Sequence, residues 1–348
     1  MRQIKVLVVD DSQFFRMLLE KGINSDPMLC VVAKANDVYE ARDAIIEYRP
    51  DVMVLDVELP RMNGIEFLKR LMPQFPVATV MISGMDASVF EALSAGAVDF
   101  VNKPKTTNSL KIEEFIKKEL NTKIKIASTA KIGSFKQKVY SNSLVNRNSE
   151  KEYGERIIAI GASTGGTEAL ARVISGFDTD IPGTVVVQHM PKGFTSMYAD
   201  RLNNESRVIV KEAKTGDILE KGVVLIAPGD AHLRVTKVNG IYRVECKHQE
   251  KVSGHRPSVD VLFESVAKVA GNKAIGVILT GMGADGAKGL LQMRKMGAET
   301  IGQDEASCIV YGMPKVAYDI GAVKYQMDLD HIVGKIYNLL NKKTGGKL

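Results

Sequence analysis

Compact apolar runs and amphipathic stretches alternate along the first third of the chain. Residues 4–9, 31–35, 51–55, 77–82 and 99–101 are short and almost wholly apolar. That is the pattern of strands covered on both faces, as opposed to the strict alternation of a half-exposed strand. Between them, residues 13–23, 38–47, 64–72 and 88–95 repeat apolar positions at helical spacing, and a last helix is expected over 110–120. Five strand–helix units in succession predict a parallel, doubly wound sheet, a flavodoxin-like (βα)5 domain over residues 1–120.

The pattern lapses over residues 121–155, which are rich in Lys, Ser and Asn and poor in large apolar side chains. This stretch reads as a basic, exposed linker. A second α/β pattern opens at Arg156. Strands are predicted at 157–160, 184–187, 208–211, 223–227, 274–279 and 299–302, and helices at 167–175, 196–203, 259–269 and 286–296. Residues 233–246 differ, because alternating side chains flank Asn239-Gly240, the strongest short signal for a type I′ hairpin. The expectation for 156–348 is a larger, doubly wound, mostly parallel α/β domain carrying an antiparallel hairpin.

Composition narrows the class. At 348 residues, 45% hydrophobic and 25% charged, the chain has the make-up of a soluble protein of two domains and not of a disordered or fibrous one. No apolar run approaches the roughly 20 residues of a membrane span. The N-terminus reaches Asp10-Asp11 after one short apolar run, unlike a signal peptide. Cys30, Cys246 and Cys308 are widely spaced and form no CxxC pair, which suits a reducing compartment. A cytoplasmic location without membrane insertion is therefore expected. Charge is uneven: residues 1–120 carry −3, residues 121–155 carry +4 and residues 156–348 carry +5. A basic second half suits an acidic partner surface.

Candidate chemistry collects at predicted strand ends. Asp10 and Asp11 end the first strand and Asp56 ends the third, which places three carboxylates together above the carboxyl edge of the sheet. Such a cluster calls for a hard divalent cation, and Mg²⁺ fits. Ser83 ends the fourth strand, and Lys103 ends the fifth, just before Pro104. A hydroxyl and an ammonium facing a carboxylate–metal cluster suit a phosphoryl group. These residues, with the run V-L-D56-V-E-L-P-R-M-N-G, resemble the receiver domain of two-component response regulators. The resemblance implies that Asp56 accepts the phosphoryl group. It further implies that Asp10, Asp11, Asp56 and the backbone carbonyl of Glu58 hold Mg²⁺, and that Ser83 and Lys103 contact the phosphoryl oxygens. Phe100 stands where that family keeps an aromatic switch, and plain core is its other reading.

In the second half, Gly161-Ala162-Ser163-Thr164-Gly165-Gly166 follows a strand and opens a helix. It matches G-x-S-x-G, a sharp turn that exposes a nucleophilic serine, with the Thr164 N–H at the helix start as an oxyanion donor. An anion-binding turn and purely structural glycines are the other readings. A serine nucleophile needs a base. His189 follows the strand at 184–187 and shares the sheet edge of Ser163. His232, also after a strand, is its main competitor, ahead of His248, His255 and His331. Asp285, in T280-G-M-G-A-D-G, follows another strand and either orients the base or caps the next helix.

This half is similar to the catalytic domain of the chemotaxis protein-glutamate methylesterase family. The pieces that carry the resemblance are G161-A-S-T-G-G, Q188-H-M-P, I226-A-P-G, G254-H-R-P-S-V-D-V-L-F and T280-G-M-G-A-D-G. It implies Ser163 as nucleophile, His189 as base, Asp285 as its orienting partner and the Met282 N–H as a second oxyanion donor. Hydrolysis would need no cofactor. Substrates would be methyl esters of glutamate on methyl-accepting chemoreceptors, with deamidation of receptor glutamines as a second activity. A chemotaxis histidine kinase would be the phosphodonor. The resemblance places the Gly254–Asp260 segment beside the site, with no chemical role for His255 or Arg256. The simplest reason for the fusion is that the unphosphorylated receiver covers the mouth of the Ser163 site. A DNA-binding regulator would share the first domain, but the second half has no helix-turn-helix pattern, so no nucleic acid is expected. A receiver-plus-scaffold protein that binds receptors without catalysis is the remaining alternative.

Overall fold

Each compact apolar run becomes a strand, where pairing with neighbouring strands satisfies the backbone groups that burial removes from water. The computed structural model describes residues 2–84, 88–132 and 153–341. The chain divides into two compact units, residues 1–136 and 137–348.

The first unit runs β1 (Ile4–Val9), α1 (Gln13–Asn24), β2 (Leu29–Ala35), α2 (Val38–Tyr48), β3 (Val52–Asp56), α3 (Gly64–Leu71), β4 (Ala78–Ser83), α4 (Ser88–Ser94), β5 (Asp99–Asn102) and α5 (Ser109–Phe115). The sheet is parallel throughout, in the order β2-β1-β3-β4-β5. Strand order reverses between β1 and β3, so the ends that carry Asp10 and Asp56 are neighbours. Asp37 and Asn63 accept backbone N–H bonds that cap α2 and α3.

The helical segment does not stop at Leu120 as expected. A π-helical turn (Ile116–Leu120) leads into α6 (Asn121–Ala127). Ile112, Ile116, Leu120 and Ile124 recur every four residues and are all buried. A four-residue repeat outruns the α-helical period, and a wider π turn returns the stripe to the core. The lysine content had masked that stripe. Lys123 pairs with Asp99 at 2.6 Å and Lys125 with Asp26 at 2.8 Å, so two of the supposed linker cations belong to the first unit. Residues 133–152 of the expected linker lie outside the described residues. At its far end, Glu155 pairs with Lys237 and Lys273 of the second unit.

The second unit has a seven-stranded sheet, parallel throughout, in the order β14-β13-β12-β6-β7-β9-β8. Its strands are β6 (Ile157–Ala162), β7 (Thr184–Gln188), β8 (Ile209–Glu212), β9 (Val223–Ile226), β12 (Ala274–Ile278), β13 (Glu299–Gln303) and β14 (Tyr325–Met327). Helices α7 (Gly166–Ser175), α8 (Phe194–Glu205), α9 (Val259–Ala270), α10 (Ala287–Lys295), α11 (Met313–Asp319) and α12 (Leu329–Asn341) cover it. The switch point lies between β6 and β12. The hairpin β10 (His232–Val238)–β11 (Ile241–Lys247) forms a sheet of its own. Asn239 and Gly240 have φ of +49° and +83°, as a type I′ turn demands. Leu233, Val235 and Val244 of the hairpin join Leu262, Phe263 and Val266 of α9 in one buried cluster. Among the described residues, no helix is long and apolar enough to cross a membrane.

One close approach behind Asp56 can be tested. A Cβ on Gly64 would stand 2.1 Å from the Asp56 carbonyl oxygen, which is fixed backbone. Gly64→Ala is expected to cost about 1–3 kcal/mol, as overpacking does. Calorimetry of the full chain should show the first unit melting earlier while the second is unmoved. Unchanged transitions would contradict this packing.

Candidate functional site

Two sites lie at the two switch points. In the first unit, Asp10 and Asp56 are buried at the ends of β1 and β3, and Asp11 is exposed beside them. Their carboxylate oxygens, one from each residue, lie within 4.8 Å of one another. Asp10 Oδ1 accepts the Ser12 N–H at 2.9 Å, and Lys103 Nζ donates to Asp10 Oδ2 at 2.8 Å and also to Asp56 Oδ2. Burial pushes the Asp56 carboxyl up to about 6; Lys103 pulls against this and Asp10 adds to it. Burial disfavours the Lys103 ammonium, but its hydrogen bonds to Asp10 and Asp56 hold it above its ordinary value.

The Ser83 hydroxyl is buried and has no hydrogen-bond partner among the described residues. The Glu58 N–H points at Asp56 Oδ1 at 3.4 Å. A cavity of about 340 Å³ is lined by Ser12, Asp56, Glu58, Gly84 and Lys103. Converging carboxylates and an unpartnered hydroxyl are the hard oxygen donors and phosphate contacts that Mg²⁺ and a phosphoryl group require, so the residues fit both. Phe100 is 5% exposed, with Lys123 Nζ 5.4 Å from its ring centroid.

In the second unit, Ser163 stands one residue beyond β6 and His189 one residue beyond β7. Ala162 pairs with Gln188, and the His189 N–H donates to the Ala162 carbonyl at 3.2 Å. Ser163 and His189 thus occupy equivalent positions on adjacent strands. The Ser163 backbone is held from two sides. Its N–H donates to Thr280 at 3.0 Å, and its carbonyl accepts Gln188 Nε2 at 2.9 Å and the Gly166 N–H at 2.7 Å. Gly165 takes φ of +74° to make the turn into α7.

His189 Nε2 lies 2.8 Å from Asp285 Oδ2. An ionised carboxylate only accepts, so Nε2 carries the proton and the lone pair of the neutral ring is on Nδ1. Nδ1 is buried and has no hydrogen-bond partner among the described residues. Asp285 is 2% exposed. Oδ2 also accepts the Val259 N–H at 2.7 Å, and Oδ1 accepts Ser258 Oγ at 2.7 Å and the Asp260 N–H at 3.0 Å. Burial opposes its ionisation, but these bonds, led by His189, hold the carboxyl below its ordinary value. Asp285 does cap a helix, but that helix is α9, not the one it precedes. Gly286 begins α10.

The competing histidines are otherwise engaged. His232 is fully buried, with Nε2 on the Glu250 carbonyl at 2.8 Å and Nδ1 accepting the Ser258 N–H at 3.2 Å. His248 contacts Asp230, and His331 contacts Asp328. Thr164 is buried at the start of α7, and its carbonyl accepts Thr280 Oγ1 at 3.1 Å. Met282 is 45% exposed, one residue beyond Gly281, whose added Cβ would stand 2.6 Å from Ser163 Cβ. Ser258, Gln188 and Thr280 were not singled out from the sequence. Of these, Ser258 was legible as an N-cap before an apolar helical run.

Comparison with known proteins matches residues 158–336 to the family described as CheB methylesterase, and residues 6–113 to the response regulator receiver domain. A protein-glutamate methylesterase/protein-glutamine glutaminase 2 of Syntrophomonas wolfei is 56% identical over 98% of this chain and 99% of its own. A protein of Syntrophotalea carbinolica named protein-glutamate methylesterase/protein-glutamine glutaminase is 47% identical, again over 98% of this chain and 99% of its own. The crystal structure of the Thermotoga maritima CheB methylesterase catalytic domain is 39% identical, with a TM-score of 0.52, over 53% of this chain and 99% of that one. With a receiver-type acidic pocket in one unit and, in the other, a paired histidine and aspartate at the sheet edge that also carries a half-buried serine turn, the chain belongs to the CheB methylesterase family.

Proposed function

We propose that this chain is a phosphorylation-activated protein-glutamate methylesterase of chemotaxis signalling that also deamidates glutamine. Its substrates are methyl esters of glutamate on methyl-accepting chemoreceptors, its phosphodonor is a chemotaxis histidine kinase, and it works in the cytoplasm. The receiver extends through α6 to Ala127, the catalytic domain begins near Arg156, and the stretch between them is the tether. The observation that carries the reading is the bond from His189 Nε2 to Asp285, which leaves a buried Nδ1 without a partner among the described residues, on a residue that stands level with Ser163 on the adjacent strand. A receptor-binding scaffold needs no such pair.

In the hydrolytic reaction, His189 Nδ1 takes the proton of Ser163 Oγ as the oxygen attacks the ester carbonyl. Asp285 keeps the ring in this tautomer and stabilises the imidazolium. The Thr164 and Met282 N–H groups hold the oxyanion. His189 returns the proton to the leaving methanol. Water then attacks the acyl-serine by the same route and releases the glutamate. A glutamine side chain follows the same path with ammonia as leaving group.

In the receiver, Asp10, Asp11, Asp56 and the Glu58 carbonyl would hold Mg²⁺, which when bound would neutralise charge on a phosphoryl group. Asp56 takes that group, and Ser83 and Lys103 contact its oxygens. The unphosphorylated receiver lowers the activity of the catalytic domain, and phosphorylation relieves it. A tenfold activation requires about 1.4 kcal/mol of differential stabilisation between the two states.

Ser163→Ala should reduce methanol release from methylated receptor membranes by at least a thousandfold without lowering the melting temperature. Turnover above a tenth of wild type would remove Ser163 from the mechanism. A small phosphodonor with Mg²⁺ should label the wild-type chain with base-labile phosphate and leave Asp56→Asn unlabelled. Equal labelling would place the acceptor elsewhere. Residues 153–348 alone should hydrolyse receptor esters faster than the unphosphorylated full chain, and phosphorylation should bring the full chain to at least that rate. A fragment no faster than the unphosphorylated chain would mean that the receiver activates by positive docking.

A further inference from the structure

The Gly254–Asp260 segment presents a second imidazole to the first. The rings of His189 and His255 are stacked, with centroids 3.8 Å apart and planes 8° from parallel. Asp285 holds His189 at one ring nitrogen only. One hydrogen bond leaves the ring free to rock about that contact, which would carry Nδ1 away from the serine. A flat group lying against the ring face removes this freedom.

The chain around His255 is built to hold it still. Val252 and His255 exchange backbone hydrogen bonds of 3.1 and 2.9 Å across a tight two-residue turn. That turn puts Ser253 at φ +53° and Gly254 at +81°. The next residue, Arg256, is anchored through Nε to Asp230 at 2.8 Å and through Nη1 to the Gln249 carbonyl. Two residues further on, Ser258 is tied to both His232 and Asp285. A surface loop does not need anchors on both sides of one half-buried ring.

We propose that His255 is a positioning residue for the base, its ring fixing the plane of His189 and giving a neutral aromatic face to the imidazolium formed during acyl transfer. This rests on the assignment of His189 as the base of Ser163. Charge supports it. Burial first, and the neighbouring His189 second, push the His255 imidazolium down to about 4, while Asp285 acts in the opposite sense and Lys251 in the same one. At neutral pH the ring therefore carries no charge to repel the imidazolium of His189. A neutral aromatic face near a cation is attractive, as in cation–π pairs. His255 itself needs neither to gain nor to lose a proton, so another aromatic ring should serve.

The test uses the full chain, phosphorylated, on methylated receptor membranes, with His255→Phe, His255→Leu and His255→Ala beside Ser163→Ala and His189→Ala. The Phe variant should keep at least a third of wild-type kcat. The Leu variant fills similar volume without a flat face, and it and the Ala variant should fall about tenfold or more in kcat with KM within twofold. A Phe variant as slow as Leu, an Ala variant above half of wild type, or a loss confined to KM would overturn the proposal. If Ala does not fold, the Phe–Leu comparison decides alone. Activity surviving in His189→Ala or Ser163→Ala would instead sink the underlying assignment, so the two failures read out separately.

Discussion

An ionised carboxylate that is almost wholly buried must be surrounded by donors, and meeting that demand at Asp285 dictates much of the catalytic unit. Its partners come from β7 by way of His189 and from the first residues of α9. The N-terminus of α9 must therefore reach the end of β12, and two glycines allow it. A Cβ on Gly161 or on Gly286 would stand 2.2 or 2.4 Å from Val259 Cγ1. The arrangement is reciprocal, since Asp260 in the first turn of α9 accepts the Gly289 N–H of α10 at 2.8 Å. Each helix start is satisfied by a carboxylate associated with the other, and the site cannot loosen without uncapping both.

The same topological rule produces both sites. In each sheet the strand order reverses beside the first strand of the unit, and the loops at that crevice diverge to opposite faces. The first unit fills its crevice with several carboxylates and one ammonium. The second fills it with one carboxylate, an imidazole and a serine turn. Sheet architecture supplies the place, and side chains alone decide between phosphoryl chemistry and acyl transfer.

The buried strands were legible because parallel strands leave continuous apolar runs, and the hairpin because Asn-Gly is nearly specific to its turn. β14 and α11 escaped notice. β14 is a three-residue edge strand, and α11 is a seven-residue helix begun by Met313-Pro314. Neither is long enough to show a period. α6 was lost because lysines that snorkel to intradomain acids look, in composition, like lysines of a linker. At the sites, residues standing at strand ends could be placed from spacing alone. The bond from Ser258 to Asp285, the anchoring of Arg256 and the His189–His255 stack could not. They depend on the loop after the hairpin meeting segments far from it in sequence, contacts that leave no periodic signature.

Burial alone does not decide the behaviour of an acid here. Asp56 and Asp285 are both nearly inaccessible, yet the first is pushed up to about 6 and the second is held below the usual carboxylate range. The difference lies in what replaces water. Around Asp285 the replacements include backbone N–H groups at a helix start, which cannot rearrange, so its charge is permanent and the tautomer of His189 follows from it. Around Asp56 the replacements are one long, rotatable ammonium and a single long bond from the Glu58 N–H, opposed by the neighbouring carboxylate of Asp10. That balance is incomplete, and it changes when another charged group enters or when Lys103 turns to a new partner. A fixed electrostatic frame suits a group that must be ready before substrate arrives. An unsaturated one suits a group whose change of charge is the signal. One chain carries both designs, and the contrast between permanent and adjustable donors separates its catalytic half from its regulatory half.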